Sequence, residues 1–151
     1  MRISTKGRYG LKAVLELGRR EGQGPISVRE LAGCIDISAT YLEQLFKKLR
    51  QADVVSSIRG AQGGYVLAHS PDEIVIGVVI RALEGSMAPA ACAVEGFSCQ
   101  NADSCVESFL YKEIRKSIDR VIDNVTLGDM LRQEREECLT DRTPMCALVE
   151  E

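Results

Sequence analysis

The sequence predicts a mainly α fold carrying a small β-hairpin, on three observations. Two short helical segments follow one another across a two-residue turn within residues 27–50. A glycine-rich reversal then separates two runs rich in β-branched residues between 54 and 68. Finally, apolar residues recur every three or four positions from Val106 to Val125. Helix-turn-helix followed by a hairpin is a winged helix-turn-helix, and the third segment reads as a long dimerisation helix. The chain divides accordingly into a winged domain (1–84), a cysteine loop (85–105), a dimerisation helix with a short following helix (106–135) and a flexible acidic tail (136–151).

Each element has a local cause. In the first helix Leu11, Val14, Leu15 and Leu17 share a face, Ser4 or Thr5 is the capping hydroxyl, and Gly22, Gly24 and Pro25 end it. Ser27 caps a short second helix whose core positions are Val28, Leu31, Ala32 and Ile35, with Cys34 read as a buried small hydrophobe on its apolar side. After a turn at Asp36 and Ile37, Ser38 caps the third helix, where Tyr41, Leu42, Leu45, Phe46 and Leu49 form the buried stripe. Strands at 54–58 and 65–68 flank Gly60, Gly63 and Gly64, which are expected to supply positive φ to the hairpin. The run IVIGVVIRALEG reads as a short helix, with a buried strand left open by its β-branched residues. Thr126 caps the last short helix, TLGDMLRQE.

Charge is segregated along the chain. Residues 1–70 carry 11 Lys+Arg against 6 Asp+Glu, whereas 71–151 carry 8 against 16. A basic half beside an acidic half points to a polyanion partner for the first. The cations lie where a winged helix meets double-stranded DNA: Arg2, Lys6 and Arg8 ahead of the first helix, Lys47, Lys48 and Arg50 on the polar face of the third, and Arg59 at the wing tip beside Gly63 and Gly64. Ser38, Thr40, Tyr41, Glu43 and Gln44 at the start of the third helix are placed to reach phosphates or base edges. Glu43 has two readings, acceptance of a cytosine amino proton or pairing with Lys47 along the helix. The long apolar face of 106–125 exceeds what one small domain covers, so it implies a homodimer reading a palindromic operator.

The N-terminus is charged and lacks the apolar middle of a signal peptide, and no run approaches the roughly 18 apolar residues of a membrane span. These features place the chain in the cytoplasm, where thiols stay reduced and clustered cysteines favour metals. Cys92, Cys99 and Cys105 stand in ACAVEGFSCQNADSCV with six and then five residues between them, a soft-metal spacing on a turn-rich loop. No paired acid and base, no phosphate loop ahead of a helix and no Cys–His pair suggest an enzyme. The lone histidine, His69, reads as a surface residue at the end of the wing.

The segments MRISTKGRYGL, YLEQLFKKLR, SSIRGAQGGYVL, ALEG and TLGDM together resemble the Rrf-type bacterial transcriptional regulators, over about residues 1–132. The resemblance is to IscR-like members, with NsrR-, RirA- and CymR-like relatives. It implies a dimeric winged-helix transcriptional regulator whose DNA affinity or specificity is set by an iron–sulfur cluster, governing cluster-assembly genes. By the same resemblance Cys92, Cys99 and Cys105 match the cluster cysteines, Glu43 matches an acid that reads bases, and Arg59 matches the wing arginine. The fourth ligand does not match. Ser108 stands where IscR-like members place a histidine, Arg8 stands where another branch places an acid, and Glu107, Cys138 and Cys146 are the other candidates. A 2Fe–2S cluster is favoured and 4Fe–4S stays open. The alternatives are an NsrR/RirA-like sensor of NO or iron, and a thiol-redox or cysteine-metabolism repressor without a cluster.

Overall fold

The computed structural model describes residues 2–96 and 105–140. The element order is α1 (Thr5–Arg19), α2 (Val28–Ile35), α3 (Ala39–Gln51), β1 (Val55–Ile58), β2 (Gly64–Leu67), α4 (Ile76–Glu84), a 3₁₀ turn (Ala91–Ala93), α5 (Val106–Asp123) and α6 (Leu127–Thr140). This is a winged helix-turn-helix, as the sequence predicts.

The capping hydroxyls of the helix-turn-helix act as expected. Ser27 Oγ accepts from the Glu30 N–H and Ser38 Oγ from the Tyr41 N–H, each at 3.2 Å. Between the two helices Asp36 adopts φ 56°, a left-handed turn that asparagine and aspartate tolerate better than other side chains. On α1, Ser4 stands at the N-cap position but its side chain caps nothing within the helix, because it is bonded to Glu84.

The wing pairs β1 and β2 antiparallel, with Val55 opposite Leu67 and Ile58 opposite Gly64. Of the three wing glycines only Gly60 has positive φ, at 124°. Gly63 and Gly64 are needed for a different reason: a Cβ on either would run into backbone, the Ile58 carbonyl for Gly63 and the Ile26 carbonyl for Gly64. The Ile26 approach extends the wing, since Ile26 and Tyr65 exchange backbone hydrogen bonds at 3.0 and 2.8 Å.

Phe46, Leu31, Leu42, Leu45, Leu49, Leu83 and Leu127 are the largest fully buried side chains. Full burial of such a residue contributes about 1.5–3 kcal/mol. The run after Pro71 is helical rather than a strand, because Ile76, Val79, Ile80 and Leu83 then share one buried face. Cys34 departs from expectation: it is exposed, 3.2 Å from Arg20 Nη2. It lies roughly 110° around α2 from the centre of the stripe made by Val28, Leu31, Ala32 and Ile35. α6 runs on to Thr140 and packs on α1, so Leu127 and Leu131 join the same core as the winged helix. Its start is a reciprocal cap in which Thr126 Oγ1 accepts from the Asp129 N–H at 3.1 Å and Asp129 Oδ2 accepts from the Thr126 N–H at 2.9 Å.

α5 has no buried residue. Val106, Phe109, Leu110 and Val121 are 84%, 70%, 55% and 64% exposed. These side chains leave an apolar patch exposed along this 18-residue helix.

Candidate nucleic-acid interface and cysteine loop

α3 buries Leu42, Leu45, Phe46 and Leu49, which turns Thr40, Glu43, Gln44, Lys47, Lys48 and Arg50 outward. Tyr41 is half-buried; its ring meets Tyr9 of α1 edge-on, with centroids 6.5 Å apart. That contact seats α1 against the first turn of α3. Lys12 lies over the same Tyr9 ring at 5.6 Å, a cation next to this surface that sequence reading missed although it stands one turn after Arg8. Arg50 Nη1 approaches Ser57 Oγ on β1 at 3.4 Å, and so points from α3 towards the wing. Arg59 is exposed at the tip, with Gly63 and Gly64 half-buried behind it. Ser38 spends its hydroxyl on the cap of α3.

Several arginines outside the third helix and wing are neutralised by acids. Arg19, Arg20, Arg81, Arg115 and Arg132 are all paired with carboxylates. The Glu134 carboxylate raises the Arg19 guanidinium above its ordinary value, against the effect of burial. Among the described residues, by contrast, Arg2, Lys6, Arg8, Lys47, Lys48 and Arg59 form no ion pair. Arg29 and Arg120 likewise form none. Glu43 and Lys47 do not pair with each other either, so helix pairing is not what holds that acid.

Cys92 sits in the 3₁₀ turn and Cys105 at the N-cap position of α5; both are half-buried free thiols. The Cys105 thiol donates to Glu107 Oε2 at 3.3 Å. Ser108, half-buried in the first turn of α5, donates its N–H to the Cys105 carbonyl at 3.3 Å. Cys99 and Cys146 lie outside the described residues. Cys138, a candidate fourth ligand within the expected flexible tail, instead lies on α6 and is disulfide-bonded. Among the described residues no three His, Cys, Asp or Glu side chains converge as metal ligands. A cleft of about 340 Å³ opens beside Cys92, walled by Lys112, Arg115 and Lys116 of α5. His69 is exposed and 2.7 Å from Asp53, a surface pair.

Comparison with known proteins places this winged helix-turn-helix in a family. Residues 3–133 match the family model for Rrf2, described as an iron-dependent transcriptional regulator. The chain belongs to the Rrf2 family of transcriptional regulators. It is 36% identical over 143 residues to the HTH-type transcriptional regulator IscR of Sodalis glossinidius, covering 94% of this chain and 86% of that protein. The solved structure of T. potens IscR is 39% identical, with a TM-score of 0.73 and coverage of 97% and 96% of the two chains. CymR, the global cysteine regulator of B. subtilis, is 42% identical in its solved structure, with a TM-score of 0.72 and coverage of 88% and 98%. This Rrf2-family chain is therefore a DNA-binding transcriptional regulator and not an enzyme. Among its described residues no helix is long and apolar enough to cross a membrane.

Proposed function

We propose that this chain acts as a homodimer on palindromic double-stranded DNA, with its affinity or specificity set by an iron–sulfur cluster at the cysteine loop. The observation that carries the reading is the pair of free, half-buried thiols of Cys92 and Cys105, which bracket the loop at the foot of the unpartnered helix α5. Thiolate donors suit a thiophilic iron or zinc centre, and the N-terminus of α5 presents partial positive charge to an anionic one. Cys92, Cys99 and Cys105 would hold the cluster. Glu107 is the fourth ligand best supported, because its carboxylate already adjoins Cys105. The resemblance to IscR-like members is what favours 2Fe–2S; a ligand set of three thiolates and one oxygen serves a 4Fe–4S cluster equally, and that is the other outcome. When bound, the cluster supplies a centre sensitive to iron supply and oxidants.

On the DNA side, the unpaired cations Lys47, Lys48, Arg2, Lys6 and Arg8 contact phosphates in this reading, together with Arg50. Thr40, Glu43 and Gln44 face base edges in the major groove, and Arg59 enters the minor groove. Ser38, Tyr41, Gly63 and Gly64 shape the surfaces that carry them. Two copies joined through α5 present two such surfaces to the half-sites of one operator. The resemblance of this chain's motifs to IscR-like regulators points to cluster-assembly genes as targets.

Anaerobic purification with iron, sulfide and Mössbauer measurement tests the reading. A brown protein, bleached by joint replacement of Cys92, Cys99 and Cys105 with alanine, is the expected result. A chain still colourless after anaerobic reconstitution would overturn it. The similarity to CymR favours one second reading, a repressor controlled by thiol oxidation alone or by zinc. Zinc at about one per chain without acid-labile sulfide selects it.

A further inference from the structure

Glu84, the last residue of α4, closes the N-terminus of α1. Its Oε1 accepts from the Ser4 N–H at 3.0 Å, the Gly7 N–H at 2.9 Å and the Ser4 hydroxyl at 2.6 Å. The amides of a first helical turn are usually satisfied from within their own segment or by water; here a carboxylate from another helix takes them. Three residues earlier on α4, Arg81 reaches to α5, donating to Asp123 Oδ1 at 2.8 Å and Asp119 Oδ1 at 3.3 Å. A Cβ on Gly77 would overlap the Asp123 carboxylate, so α4 and α5 approach closely at this joint. Asp119 is held in turn by Arg115 Nε at 3.3 Å. Arg115 Nη1 then donates at 2.6 Å to the carbonyl of Ala93, the residue after Cys92.

We infer that Arg115, Arg81 and Glu84 are positioning residues through which the state of the cysteine loop sets the seating of the α1 N-terminus, where Arg2, Lys6 and Arg8 stand. α4 is the moving part. It is tied to α5 by Arg81 and to α1 by Glu84, and a Cβ on Gly10 would overlap Leu83, so a shift of α4 carries α1 with it. Exposed ion pairs alone transmit little, and here they serve to fix which way a close-packed helix leans. A loop that withdraws the Ala93 carbonyl releases Arg115, loosens Asp119 and frees Arg81 to follow Asp123 alone.

This rests on the cysteine-loop reading above, but its test does not need a cluster. Hydrogen exchange of the Gly7 and Arg8 amides is measured in the full chain, for wild type, Arg115→Gln, Glu84→Gln and the double variant. Arg115→Gln is expected to speed exchange of those amides roughly two- to thirty-fold while thermal unfolding stays that of wild type. The double variant is expected to fall short of the product of the single effects. Arg115 and Glu84 share no bonded partner, so independent structural roles would multiply. Unchanged α1 exchange in Arg115→Gln, or strict multiplicativity, overturns the inference. If Arg115→Gln does not fold, Asp119→Asn breaks the same link and is read the same way. A protein that binds no cluster yet shows the coupling overturns only the earlier proposal.

Discussion

The Glu84 carboxylate occupies the space beside Gly7 that a Cβ would fill, and it accepts the Gly7 amide proton at 2.9 Å. Glycine at this position therefore serves two helices at once. It lets the acid of α4 reach the first turn of α1, and it leaves that turn without a competing side chain.

Gly7→Ala should destabilise the protein despite its gain of roughly 1 kcal/mol in helix propensity. The added methyl meets Glu84 Oε1 and the Ile3 side chain, an overpacking that costs about 1–3 kcal/mol and also loosens the cap. Urea unfolding should show a lower midpoint, and a smaller loss when Glu84 is also replaced by alanine. A raised midpoint in the single variant would refute this packing account.

On the DNA-facing side the contact classes predict different signatures. Lys47→Ala or Lys48→Ala should weaken all sequences alike and reduce the salt slope of binding by roughly one. Arg59→Ala should weaken binding mainly where A·T pairs narrow the minor groove. Glu43→Ala should re-order a panel of operator variants by about 1–3 kcal/mol at the affected base pair. Anisotropy titrations at several salt concentrations separate these outcomes, and an unchanged ranking with Glu43→Ala rules out base readout through it.

Leu110 and Ile114 are 55% and 38% exposed on α5, so a charge there costs an isolated chain little. Leu110→Glu with Ile114→Glu should leave the fold intact by circular dichroism yet yield monomers in sedimentation. Affinity for a two-half-site operator should drop by roughly 10²-fold or more as the two sites are unlinked. Dimers persisting at micromolar chain concentration would place the interface elsewhere.

At the start of α6 the Thr126 amide, then Arg132 and the Thr126 hydroxyl, hold the Asp129 carboxyl down from 3.8 to about 2. The folded value lies below the unfolded one, so the stabilisation is present above about pH 4 and is lost as pH falls through 2. The stability difference between wild type and Asp129→Asn should accordingly narrow between those two pH values. A gap that stays constant over that window contradicts the assignment.

Much of this architecture is legible in the chain because its causes are local. Ser27 and Ser38 cap their helices through hydrogen bonds three residues long, and the stripe from Leu42 to Leu49 repeats with the helical period. The apolar face of α5 declared itself the same way, as did the cations that stay unpaired around α3 and the wing. Other assignments required neighbours distant in sequence. Gly63 and Gly64 look like turn residues, yet what requires them is a backbone approach, Gly64 to Ile26 on another segment. Cys34 follows an apolar pattern on α2, but the core covers only the stripe beside it.

By itself the sequence determined the helix-turn-helix, the wing, the long unpartnered helix and the thiols placed between them. Periodicity, capping hydroxyls and charge segregation act within a few residues and leave a written pattern. Only the tertiary structure decided which carboxylate caps α1, which arginines are neutralised, and how the loop at Cys92 is tied through α5 and α4 to the other end of the molecule. The Ser4–Glu84, Arg19–Glu134 and Arg81–Asp123 contacts join residues 80, 115 and 42 positions apart, and the Arg115–Ala93 bond spans 22. Nothing local selects Glu84 over any other acid until packing brings it to Gly7.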